Sequence, residues 1–161
     1  MHRLFSMTRL EIYTDGGCRG NQVDVNVGGW GALLIWGEHR LELKGGEPNT
    51  TNNKMELTGA IEALRAVKNT DVPVDVYVDS AYVLNGITQW IYGWIKKDWK
   101  NSKKEPVANK ELWLELYAQK KRFSDISFHK VKGHSTNDGN NKADELANLA
   151  MDEVEASLKA R

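Results

Sequence analysis

Four carboxylates in this 161-residue chain stand where a carboxylate needs a reason: Asp15, Glu56, Asp79 and Asp144. Asp15 and Asp79 each close a run of β-forming residues, LEIYTD and VDVYVD, and so lie at strand ends, where loss of water makes a charge costly. Glu56 shares a helical row with Ala60, Ala63 and Val67, a small-residue face of the kind that lies close against a sheet. It is absent from the solvent stripe of Lys54, Thr58, Glu62, Arg65 and Asn69. Asp144 is expected in the first turn of the last helix. Singly, each has an ordinary explanation. An Asp before Gly16 and Gly17 opens a turn, a helical Glu is usually solvated, and a first-turn Asp complements the helix dipole. Brought together, the four would repel one another unless a cation joined them. Oxygen-only donors suit Mg2+ or Mn2+ rather than zinc. A pair of such ions ~3.5–4 Å apart is the arrangement that displaces a phosphodiester in line, one activating water and the other stabilising the leaving oxygen. The lone cysteine, Cys18, lies in a Gly-rich stretch with no histidine near it in sequence. It reads as a small loop residue rather than a nucleophile.

The elements that must position these groups follow from the pattern. Leu10, Ile12 and Thr14 alternate with Glu11, Tyr13 and Asp15 in a strand expected to end at Gly16 and Gly17. After a polar loop, residues 30–36 and 39–44 are two further strands of an antiparallel meander, ended by Gly45, Gly46 and Pro48. Thr50, Thr51, Asn52 and Asn53 supply caps for a helix over residues 54–68, with a core stripe of Leu57, Ile61 and Leu64. Residues 74–78 are a β-branched strand leading into Asp79. Strand, helix, strand implies a right-handed crossover, with the second strand parallel to the first and Asp15 and Asp79 at one sheet edge.

Residues 80–84 start a short helix that Gly86 is expected to interrupt, and residues 88–99 follow with Trp90, Trp94 and Trp99. Lys96, Lys97, Lys100, Lys103 and Lys104 face only Asp98 in charge, so this stretch reads as a protruding basic element held by aromatic packing. Such a surface suits a phosphate backbone. Asn109 caps a helix to about Lys121, with Leu112, Trp113, Leu116 and Tyr117 on one face. Residues 126–131 form a fifth strand, residues 133–141 a polar loop containing His134, and residues 142–155 the last helix.

Composition sets the frame. Hydrophobic residues make up 40% and charged residues 27%, as in ordinary globular domains, and the length fits one domain. The expected division is an extension over residues 1–8, a domain over 9–155 and a tail over 156–161. No apolar run approaches the ~20 residues that cross a bilayer, and MHRLFSM is too short for a secretory signal. With a single cysteine fitting a reducing compartment, a cytoplasmic location is expected. A formal net charge of zero does not advertise a nucleic-acid partner, but a local patch can serve.

The stretches YTDGGCRGN, TTNNKMEL, VYVDSAYV, GITQWIYGWIKKDWK, KEPVANKELW, VKGH and ADELAN occur in one order over residues 9–150, and through them the chain resembles bacterial type 1 ribonuclease H. The resemblance implies an α/β ribonuclease H-like fold, a five-stranded mixed sheet flanked by helices. It implies hydrolysis of the RNA strand of an RNA/DNA hybrid duplex by a monomer using two Mg2+ ions, or Mn2+ in their place. By position, Asp15, Glu56, Asp79 and Asp144 match the metal ligands, with Asp15 bridging both ions, and His134 matches a loop histidine that assists proton transfer or product departure. Asn21, Thr51, Asn52 and Asn53 match hybrid contacts, joined by Cys18 through its backbone. Trp90, Lys96, Lys97 and Lys100 match a basic protrusion that grips the DNA strand. A wide, shallow minor groove displays the 2′-hydroxyls such an enzyme must find, so weak sequence preference is expected.

Two departures from the bacterial pattern are visible. Ala81 stands where a longer amide side chain is common, and the loop over residues 22–27 is longer and lacks a Pro-Gly turn. Resolvase or transposase cores of the same fold would lack the Trp-Lys protrusion and the TTNN helix start. A reverse-transcriptase domain and a hybrid-binding module with a dead site are further alternatives, the latter opposed by the presence of all four carboxylates.

Overall fold

A computed structural model describes residues 8–20, 25–131 and 138–160. Its five strands are β1 (Leu10–Arg19), β2 (Val27–Trp36), β3 (His39–Pro48), β4 (Val74–Val78) and β5 (Ile126–Lys130), in the order β3-β2-β1-β4-β5. The first three form the expected antiparallel meander. β4 joins β1 in parallel and β5 joins β4 in parallel, so β1 lies at the centre of a mixed sheet.

The alternation of side chains decides which face each helix covers. Leu10, Ile12, Val74, Val76 and Val78 are buried together with Leu57, Ala60, Ile61, Ala63 and Leu64 of α1 (Asn52–Arg65). Burying each of the larger aliphatics contributes about 1.5–3 kcal/mol, and the two alanines let this helix lie close. On the other face, Tyr13 stacks on Tyr77 with ring centroids 4.9 Å apart, and Tyr77 on His129 at 5.0 Å. The final helix, here α5 (Asp138–Lys159), buries Ala143, Leu146, Ala147, Ala150 and Met151. It begins earlier than the expected residue 142 and takes in residues 156–159 of the expected tail, while residues 1–7 of the extension lie outside the described residues.

Between β4 and β5 the chain forms α2 (Ala81–Asn85), a π-helical turn (Gly86–Trp90), α3 (Ile91–Lys96) and α4 (Lys110–Lys121). The helix α2 stops at Asn85 with Gly86 as its C-cap, as expected, but the chain continues there as a π-helical turn. A methyl group on Gly86 would stand 2.0 Å from the Trp113 ring, so the glycine also serves close packing. Trp94 is the hub of the expected aromatic cluster, 6.0 Å from Trp90, 5.9 Å from Trp99 and 5.2 Å from Trp113. The Asn109 side chain does not cap α4. Its backbone is left-handed at φ 61°, a conformation Asn tolerates, and its Nδ2 donates to the Tyr82 hydroxyl at 3.1 Å, as does Trp113 Nε1.

Candidate active site

Asp15 does not end its strand, as the pattern suggested, nor does it open a turn. β1 continues through Gly16, Gly17 and Cys18 to Arg19, paired along its length with β2, where Asp15 stands opposite Gly31. The parallel pairing with β4, however, stops at Thr14 opposite Val78. Asp15 is the next residue of β1 and Asp79 the residue just past β4, so the two lie together at one edge. The Gly16 N–H donates to Asp15 Oδ1 at 2.9 Å and fixes that carboxylate from its own backbone.

Glycines bring in the other two carboxylates. A methyl group on Gly16 would stand 2.5 Å from the Met55 carbonyl carbon and 2.6 Å from the Glu56 nitrogen, so the α1 backbone rests directly on β1. That contact sets Glu56 beside Asp15. On the opposite face, a methyl group on Gly31 would stand 2.3 Å from the Ala143 carbonyl oxygen, and one on Gly29 2.4 Å from that of Ala147. Asp144 follows Ala143, and its carboxyl reaches hydrogen-bonding range of Asp15. Because α5 begins at Asp138, Asp144 lies in the second helical turn rather than the first, where the dipole acts less.

The electrostatics record this convergence. Burial, then the Asp144 carboxyl and the charge of Asp79, push Asp15 up to about 7 against the lowering effect of the Gly16 N–H. Burial, then the charges of Asp15 and Asp79, push Glu56 up to about 9, opposed by the Gly16 N–H and by Lys130. Lys130, the last residue of β5, donates from Nζ to the Asp79 carbonyl oxygen at 3.0 Å. Sequence reasoning missed this lysine. The signal was available in the parallel order of β4 and β5, which brings their ends to the same edge.

Among the described residues, no three of His, Cys, Asp and Glu are gathered tightly enough to enclose a metal ion on their own. The donor chemistry nevertheless fits a hard divalent cation, because four carboxylates converge and two of them, Asp15 and Glu56, are pushed toward protonation by burial and by the charge of neighbouring carboxylates.

The other expected site residues divide by location. Cys18 is half-buried opposite Gly28, and burial, with the charge of Glu47, pushes its thiol up and away from the thiolate that a nucleophile needs. Thr51 accepts from the Lys54 N–H at 3.1 Å as the cap of α1, and Thr51, Asn52 and Asn53 are exposed. Asn52 Oδ1 would stand 3.8 Å from a methyl group on Gly17, so this helix start borders the strand that carries Cys18. Trp90, Lys96, Lys97 and Lys100 are exposed on a separate arm, where Trp90, Trp94, Lys97 and Lys100 help line a cleft of about 320 Å³. Asn21 and His134 lie outside the described residues, as do residues 22–24 of the long loop. An apolar cavity of about 350 Å³ opens at the other end of the sheet, between Leu10, Leu34, Trp36 and Val67, away from the carboxylates.

Residues 7–152 match the sequence model of the RNase H family. A curated ribonuclease H of Chromohalobacter salexigens is 51% identical over 158 residues, covering 98% of this chain and 93% of the relative. One of Hydrogenovibrio crunogenus is 52% identical over 148 residues, covering 92% and 99%. Among solved structures, LC9-RNase H1, described as a type 1 RNase H with the type 2 active-site motif, superposes with a TM-score of 0.79 at 31% identity, covering 91% of this chain and 73% of that one. LC11-RNase H1 in complex with an RNA/DNA hybrid does so with a TM-score of 0.66 at 28% identity, covering 91% and 99%.

Proposed function

The chain belongs to the RNase H family, and from that premise we propose that it hydrolyses the RNA strand of RNA/DNA hybrids, with little sequence preference, at the carboxylate cluster. The observation that carries this reading is the meeting of Asp15 with Asp144, Glu56 and Asp79 at one sheet edge, where their mutual repulsion leaves a place for positive charge.

These four are the side chains that would hold two Mg2+ ions, or Mn2+ in their place, with Asp15 contributed by the central strand. Such a pair, when bound, supplies charge stabilisation to the attacking and leaving oxygens of a phosphodiester. The protein's own groups do the rest. The Gly16 N–H orients Asp15, and the packing of α1 and α5 on glycines holds Glu56 and Asp144 to it. His134 is assigned proton transfer or product departure. Thr51, Asn52 and Asn53, with Asn21 and the Cys18 backbone, contact the hybrid across its minor groove, where 2′-hydroxyls identify the RNA strand. The exposed Lys96, Lys97 and Lys100 with Trp90 grip the DNA strand through its phosphates. A monomer is the acting form we adopt, placed in the cytoplasm because the lone cysteine fits a reducing compartment. No helix among the described residues is long and apolar enough to cross a membrane.

The test is Asp15→Asn, assayed for both binding and cleavage of a labelled hybrid. Binding should persist within a few-fold while turnover falls by at least ~10³, the scale on which a group that stabilises transition-state charge is felt. A turnover rate close to that of the unaltered protein would overturn the metal-ligand assignment.

A further inference from the structure

Lys130 is an ordinary exposed lysine by composition, but the fold gives it an unusual address. In the parallel register it stands opposite Val78, one residue short of Asp79. Two hydrogen bonds tie β5 to the end of β4 there: Val131 N–H to the Val78 carbonyl at 3.0 Å, and Lys130 Nζ to the Asp79 carbonyl at 3.0 Å. The second anchors the ammonium to the main chain of the residue whose carboxylate stands beside Asp15. Lys130 also shares its sheet face with Val78, the face that α1 covers and from which Glu56 enters the cluster. Its charge is felt at Glu56, where it opposes the effects of burial and of the neighbouring aspartates.

We propose that Lys130 is a built-in cation of the carboxylate site, which offsets part of the repulsion among the carboxylates and thereby weakens their hold on a divalent metal. The proposal rests on the reading of these carboxylates as metal ligands. A fixed unit charge and a divalent ion about 8 Å apart in water-like surroundings repel by an amount equivalent to about a three- to tenfold change in binding. That repulsion is screened as ionic strength rises. A lysine that merely braced the β4–β5 edge would act in the opposite sense, since its loss would loosen Asp79 and weaken metal binding.

The experiment is calorimetric titration of the full chain, free of nucleic acid, with MgCl2. Lys130→Met should bind Mg2+ about three- to tenfold more tightly than the unaltered protein at low salt. The difference should shrink at about 1 M monovalent salt, where the screening length is ~3 Å. Lys130→Arg keeps the charge and should stay near the unaltered affinity. Binding by Lys130→Met that is equal or weaker, or an Arg variant that behaves like Met, would overturn the role of Lys130 while leaving the metal site intact. Failure of the unaltered protein to bind Mg2+ at all would overturn both.

Discussion

Glu56 takes up a proton on folding across most of the physiological pH range, because burial and the charges of Asp15 and Asp79 raise it to about 9. The sign of the effect on stability follows. An unfolded Glu titrates near 4.5, so between there and about 9 the folded state holds more protons, and stability falls as pH rises through that window. Asp15 acts in the same direction. The metal-free protein should therefore lose stability between pH ~5 and ~9. Glu56→Gln should flatten that slope and, at pH 8, gain about 1–3 kcal/mol, read as a rise of about 3–10 °C in melting temperature in the presence of a chelator. A variant less stable than the parent at pH 8 would contradict this. At this scale the sequence was informative wherever a residue broke its local pattern: Glu56 off the solvent stripe, and Asp15 and Asp79 closing apolar runs. Lys130 broke no pattern, since a lysine at a strand end is ordinary, and its meaning comes only from the register of β5 against β4.

Glycines determine how the elements meet. Gly16 lets the α1 backbone rest on β1, and Gly31 does the same for α5 on β2, so each delivers one carboxylate to Asp15. Gly16→Ala places a methyl group against main-chain atoms, which no side-chain rotation can relieve. The expected result is a loss of about 2–3 kcal/mol in denaturant unfolding, together with a weaker Mg2+-induced rise in melting temperature as Glu56 is displaced. Unchanged stability would show that the contact yields more easily than the geometry indicates. The same glycines explain why the strands run past their expected ends. Gly16, Gly17, Gly45 and Gly46 have low strand propensity and read as stops, yet each lies within a paired strand, and at Gly16, Gly45 and Gly46 neighbours fill the space a side chain would need. Gly86 ends its α-helix as expected and is also a seat for Trp113. The basic arm was legible because its tryptophans and lysines alternate in a way that neither a core nor a solvated face requires. Replacing Lys96, Lys97 and Lys100 with Ala should weaken hybrid binding most at low salt and reduce the slope of log affinity against log salt by up to ~2–3. An unchanged slope would remove the arm from the nucleic-acid interface.

For the whole molecule, the crossover rule alone brings the ends of β1 and β4 to one edge, because handedness leaves a strand-helix-strand unit little choice. The approach of α5 to the other face was not readable, since it depends on Gly29 and Gly31 lying opposite Ala147 and Ala143, a match between segments more than a hundred residues apart. The finished arrangement separates two tasks. In the proposed reading, the carboxylate edge at the centre of the sheet would carry the chemistry, and the exposed basic arm apart from it would let a chain of zero net charge offer a positive surface to phosphate. A site of this kind needs a duplex with 2′-hydroxyls on one strand and an adaptable deoxyribose strand on the other. The most direct test compares cleavage of an RNA/DNA hybrid, a double-stranded RNA and a double-stranded DNA of one sequence, each with Mg2+ and with chelator. Cleavage of the RNA strand of the hybrid alone, abolished by chelation, is the predicted result. Equal cleavage of all three, or hybrid cleavage that persists in chelator, would contradict the account.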